Sequence, residues 1–161
     1  MVIFLIVILV VLGIIVFQDF ITRSIHWLTL PPLFIGLLFY NIETISIIDV
    51  LFNFLFISII MGSLILYLRI RQKEWVNPTK SFFGWGDILF LLAITPAEDN
   101  RSFMFLFIGG TVFSLILTLL LRMTTIKIDT IPYAGMFSVF LMAHLIYSYF
   151  NPQFSYYKLL N

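Results

Sequence analysis

The chain has 161 residues, of which 61% are hydrophobic, 18% aromatic and only 11% charged. Charged residues approach a quarter of an ordinary soluble domain, so this composition excludes a water-soluble globular fold and points to an integral membrane protein. A net charge of +1 and the absence of cysteine leave no electrostatic case for nucleic acid as a partner and exclude a disulfide framework or a thiolate-based zinc or redox site.

Six apolar blocks follow in chain order, at roughly 1–17, 27–42, 47–68, 82–97, 103–121 and 131–150. Blocks of this length suit helices, because barrel strands would alternate with period two over about ten residues. The expected fold is all-α: a polytopic membrane protein of about six transmembrane helices, forming a single domain over residues 1–161. The first block reads as a retained span and not as a signal peptide, since no Lys or Arg precedes Arg23 and no small-residue cleavage site follows. Several blocks are short for about 30 Å of hydrocarbon at 1.5 Å per residue, so some spans are expected to start inside the membrane or to reach into the headgroups. Basic residues set the orientation. Arg23, then Arg69, Arg71, Lys73 and Lys80, then Arg122 and Lys127 fall in the first, third and fifth connections, leaving Arg101 and Lys158 for the other side. Connections one, three and five should therefore face the cytoplasm, with both termini outside and lipid as the surrounding partner.

Two acids stand out against this background. Asp19 closes the first block, and Asp87 opens the fourth within Gly84-Trp85-Gly86-Asp87. The orientation puts both on the cytoplasmic side, and ionisable groups at membrane depth generally mark function. Two carboxylates held together share a proton, so one can activate a water while the other donates a hydrogen bond to a peptide carbonyl. That is the chemistry of aspartic proteolysis, with Asp19 and Asp87 as the catalytic pair. Gly84 and Gly86, lacking a Cβ, would let an extended substrate come close. Plainer readings make Asp87 the N-cap of the fourth helix and Asp19 a solvated boundary residue, although an acid at a helix C-terminus opposes the dipole.

The remaining polar residues attract blander readings. His144, inside the last block, is expected to hydrogen-bond a neighbouring helix, and His26 to sit at the interface with Trp27 anchoring beside it. Asp129 looks like a cap before the Ile131-Pro132 helix start. Glu43, Asp49, Glu98 and Asp99 read as solvated loop charge on the outer side. No His/carboxylate cluster has metal-ligand spacing, so neither metal nor cofactor is expected. A Gly-x-Ser-x-Gly nucleophile motif is likewise missing. One non-enzymatic alternative is a small proton-coupled carrier relaying through Asp19, Asp87 and His144.

Three stretches carry a resemblance to a known family. Asp19-Phe20-Ile21-Thr22-Arg23-Ser24-Ile25 with Trp27-Leu28-Thr29 looks like a first aspartate motif, Gly84-Trp85-Gly86-Asp87-Ile88 like a second, and Ile131-Pro132-Tyr133-Ala134 like an element opening the last helices. In order and sidedness the chain resembles the prepilin peptidases, membrane aspartic proteases of the Gly-x-Gly-Asp type, in their short form. The resemblance implies a membrane-embedded endopeptidase in the cytoplasmic (inner) membrane, with its active site toward the cytoplasm. Its substrate would be a type IV pilin-like precursor, cut between a basic leader and the apolar helix that follows, typically after a Gly. Asp19 and Asp87 would be catalytic, Gly84, Gly86 and Arg23 would contact substrate, and the 69–80 connection would gate or dock it. Three departures stand out: His26 and Trp27 occupy positions where the family usually has Pro and Asn, and Leu89 replaces a Lys. They keep open a catalytically inactive relative that only binds pilin-like helices. The paired Cys-x-x-Cys domain of longer family members is missing, so zinc is not expected.

Overall fold

The computed structural model describes residues 2–72, 84–123 and 132–151, and no strand occurs among them. Among the described residues six α-helices follow one another: α1 (Val2–Thr22), α2 (Leu30–Tyr40) after a 3₁₀ turn (Trp27–Thr29), α3 (Ile47–Gln72), α4 (Trp85–Ala93), α5 (Asn100–Met123) and α6 (Tyr133–Phe150). Four stretches, Val2–Thr22, Ile47–Tyr67, Asn100–Leu121 and Tyr133–Phe150, are long and apolar enough to cross a membrane. The other two are shorter. The 11 residues of α2 and the 9 of α4 span about 17 and 14 Å at 1.5 Å per residue, against about 30 Å of hydrocarbon.

Local chemistry explains where the helices differ from the apolar blocks. α1 runs past the expected boundary at Phe17 because Phe20 and Ile21 continue it, and it stops where Arg23 adopts a left-handed conformation with φ 53°. The Thr22 hydroxyl donates to the Gln18 carbonyl at 2.7 Å, bracing the final turn. Asp19 is thus part of α1 and not a residue beyond its end. α4 stops early for a different reason: Pro96 cannot donate an amide hydrogen bond, and it disfavours helical geometry at Thr95 before it. α3 opens on a reciprocal capping box. The Asp49 amide donates to Ser46 Oγ at 3.2 Å, and the Ser46 amide donates to Asp49 Oδ2 at 3.0 Å. Asp49 is therefore a capping residue, which corrects its reading as solvated loop charge.

The break after α4 is buried, and two asparagines make that tolerable. Asn53 Nδ2 donates to the carbonyls of Thr95 and Glu98, both at 2.9 Å. Asn41 Nδ2 donates to those of Pro96 and Ala97, at 3.0 and 2.8 Å. Four successive carbonyls that a helix would have satisfied are thus bonded by two side-chain amides, as non-helical backbone in an apolar setting requires. Beside them His144 Nε2 and Glu98 Oε1 are 2.7 Å apart. Here too the sequence reading needs correcting. Glu98 is partnered and partly buried, and His144 meets the α4–α5 connection where a neighbouring helix was expected.

α6 is the hub, packing on α1, α4 and α5, while α2 lies against α1 and α4 and α3 against α4 and α5. Its first turns, Ala134 to Ser138, are buried without interruption. Phe137 meets Phe90 of α4 edge-on at 5.8 Å, and its ring lies over Gly110 of α5, where any Cβ would collide with it. On α1 the buried positions are Leu5, Ile8, Leu12, Ile15 and Asp19. These alternate by three and four residues, the stripe that a helix turns toward its neighbours. Asp19 therefore faces the core because it falls in register with four apolar residues. Asn53 does the same on α3, in line with Val50, Ile57 and Met61.

Candidate active site

Three elements build the site: the last turn of α1, the first turn of α4 and the first turn of α6. Asp19 is buried, with 5% of its surface exposed, and its Oδ2 accepts a hydrogen bond from the Gly135 amide at 2.6 Å. Asp87 is the third residue of α4. Its Oδ1 accepts from the Ala134 amide at 3.2 Å, while its Oδ2 reaches back to the Gly84 amide at 3.2 Å. Gly84, with extended φ −68° and ψ 144°, is the N-cap, so the reading of Asp87 as the cap is corrected by three residues. Neighbouring residues of one chain are separated by only 3.8 Å between Cα atoms. Bonds to the consecutive amides of Ala134 and Gly135 accordingly bring the two carboxylates to one helix end.

The reason this helix end can receive two acids lies in its backbone. The first amides of a helix have no intrahelical acceptor and carry the positive end of its dipole, so they are ready-made donors for carboxylates. Pro132 precedes α6 and Tyr133 begins it, leaving the Ala134 and Gly135 amides to the acids. Tyr133 fixes that end laterally. Its hydroxyl lies 3.0 Å from Thr111 Oγ1, whose own proton goes to the Phe107 carbonyl at 2.7 Å, so Tyr133 is the donor to Thr111 and ties α6 to α5.

Electrostatically the site balances opposed effects. Burial disfavours a charged carboxylate, amide donors and a helix N-terminus favour one, and a second acid close by makes ionisation of the two interdependent. Groups in this situation titrate as a pair, which is what proton exchange with a bound water and a carbonyl needs. Among the described residues, no three His, Asp or Glu side chains gather in a way that could hold a metal ion.

The other candidates fall around this pair. Arg23 is exposed at the end of α1, one turn beyond Asp19. Gly84 is exposed, and a Cβ there would meet Asp87 Oδ2 at 3.3 Å. Gly86 faces inward, toward the segment between α1 and α2: a Cβ there would lie 3.2 Å from Ile25 Cβ. The space beside Gly86 is filled by Ile25, side chain and backbone alike. His26 and Trp27 stack at 6.4 Å on the exposed surface, and the His26 amide donates to Gln18 Oε1 at 3.0 Å. Asp129, Ile131 and residues 73–80 of the expected gating connection lie outside the described residues. Sequence reasoning gave no role to Ala134 or Gly135. The local pattern, a proline and an aromatic followed by the two small residues Ala134 and Gly135, marks a helix start that can be approached closely but does not say what approaches it.

No protein-family model, curated protein or solved structure matches this chain.

Proposed function

We propose that this chain is a membrane-embedded aspartic endopeptidase of six helices that removes the basic leader of type IV pilin-like precursors at the cytoplasmic face of the inner membrane. The observation that carries the reading is the meeting of Asp19 and Asp87 on the adjacent amides of Ala134 and Gly135. Two acids far apart in sequence, brought together at the edge of an apolar bundle, form the pair that peptide hydrolysis by water requires. One carboxylate takes a proton from the attacking water. The other, protonated, donates to the scissile carbonyl, and the proton then passes to the departing amine. Basic connections one, three and five on the inner side put this pair where a cytoplasmic leader joins a membrane helix, so the helix interior need not unwind. Arg23, exposed beside Asp19, would bind a substrate carbonyl, and Gly84 would leave room for the extended segment before the cut.

Cleavage is the test. Purified protein in detergent is incubated with a peptide carrying a basic leader, a Gly and an apolar helix, and the products are mapped by mass spectrometry. A cut after the Gly, abolished by Asp87→Ala, is the expected result. An Asp87→Ala variant that cuts as fast as the parent removes the assignment. Binding of the peptide without any cut would indicate the non-catalytic relative, and proton flux into liposomes the carrier.

A further inference from the structure

We propose that Gly135 is a positioning residue for Asp19, required because any side chain at that position would push the Asp19 carboxylate off its amide donor. This inference rests on the protease reading for its catalytic consequence, though its geometric content stands apart from it.

Gly135 lies inside a helix, and no glycine among the described residues has a positive φ, so backbone freedom does not explain its presence. Glycine is among the poorest helix formers, and its use in the third position of α6 calls for another cause. Close approach supplies one. A Cβ at position 135 would stand 3.0 Å from Asp19 Oδ2, 3.1 Å from Asp19 Cβ and 3.1 Å from Phe20 Cδ2. Asp19 Cβ is bonded directly to the α1 backbone, so the contact cannot be relieved by swinging a flexible side-chain tip. Either α1 or the start of α6 must move. The hydrogen bond at stake is the 2.6 Å contact from the Gly135 amide, the shorter of the two that α6 makes to the acids. Displacing one acid by even a fraction of an ångström changes its distance to the other and to any shared water. The two glycines of the sequence motif act elsewhere, Gly84 at the cap of α4 and Gly86 against Ile25.

A matched control exists in the same bundle. A Cβ on Gly36 of α2 would meet Ile8 Cγ1 of α1 at 3.0 Å, an equally short nearest contact with the same helix but with an apolar partner away from the acids. Gly135→Ala and Gly36→Ala are therefore compared in detergent by thermal unfolding, by peptide cleavage, and by infrared difference spectra of the carboxyl band assigned to Asp19 through its loss in Asp19→Asn. The expected result for Gly135→Ala is a shifted Asp19 band and a kcat lowered by about 10- to 100-fold with KM little changed, the scale of small misplacements of reacting groups. Gly36→Ala should keep both the band and kcat. An unmoved band and parental kcat in Gly135→Ala overturn the inference while leaving the protease reading intact. A parent that cuts no peptide, together with a shifted band in Gly135→Ala, removes the protease reading and leaves the positioning role. Should Gly135→Ala fail to fold, Phe20→Ala is added to it, removing the ring contact but not the carboxylate contact. Return of kcat and band to parental values in that double variant assigns the glycine to packing against Phe20 and overturns the proposal.

Discussion

The bundle holds two groups of polar residues in its apolar interior, and they are built to opposite rules. Asn41 at the end of α2, Asn53 near the start of α3, Glu98 in the α4–α5 connection and His144 of α6 surround the break after α4, with side-chain donors facing backbone carbonyls and an acid facing a histidine. Nine residues back along α6, about 14 Å at 1.5 Å per residue, Asp19 and Asp87 share one helix end. The first group repairs a deficit in hydrogen bonding. The second gathers two groups of like charge, which stability alone would not select, and arrangements of that kind concentrate at functional sites. A polar residue in an apolar bundle is thus informative according to what it faces: complementary partners imply architecture, and like partners imply chemistry.

Substitutions can break this contrast in either direction. The largest effect is expected at the acids: Asp19→Asn or Asp87→Asn should lower peptide cleavage by about 10³-fold or more, while the unfolding temperature in detergent stays level or rises, since one of two neighbouring like charges is gone. Asn53→Leu should do the reverse. It strips the Thr95 and Glu98 carbonyls of their donor and should cost about 1–3 kcal/mol for each group left buried and unpaired, read from unfolding in denaturant, with cleavage per folded molecule retained. His144→Ala removes the partner of Glu98 and should destabilise by about 1–3 kcal/mol, again without loss of kcat in the folded fraction. The smallest change is Ser46→Ala, which opens the α3 capping box and should cost about 1 kcal/mol in the same measurement. If an acid variant loses stability instead of activity, or Asn53→Leu loses activity at full stability, the two groups have been assigned the wrong way round.

Much of this was legible in the residues, and what was not has a physical cause. The order of the helices follows from the apolar blocks, and the position of Asp19 at the end of the first block and of Asp87 at the start of the fourth is read directly from them. Which face of each helix is buried does not follow, because lipid accepts the same Leu, Ile and Phe that the core does. The stripe of Leu5, Ile8, Leu12, Ile15 and Asp19 is evident only once its neighbours are known. The early end of α4 was announced by Pro96, but the apolar run through Ala97 masked it. Glu98 and His144 lie 46 positions apart, so no local pattern could pair them. Gly135 escaped notice for the same reason: its purpose is contact with a residue 116 positions earlier.

The central claim is that Asp19 and Asp87 act as one hydrolytic unit, and a double-mutant comparison of cleavage tests it most directly. Rates are measured on the same prepilin-like peptide for the parent, Asp19→Asn, Asp87→Asn and the double variant. Groups that act together give losses that do not multiply, so the double variant should be no slower than either single one. Parental cleavage by either single variant, or losses that multiply in the double, would contradict the account.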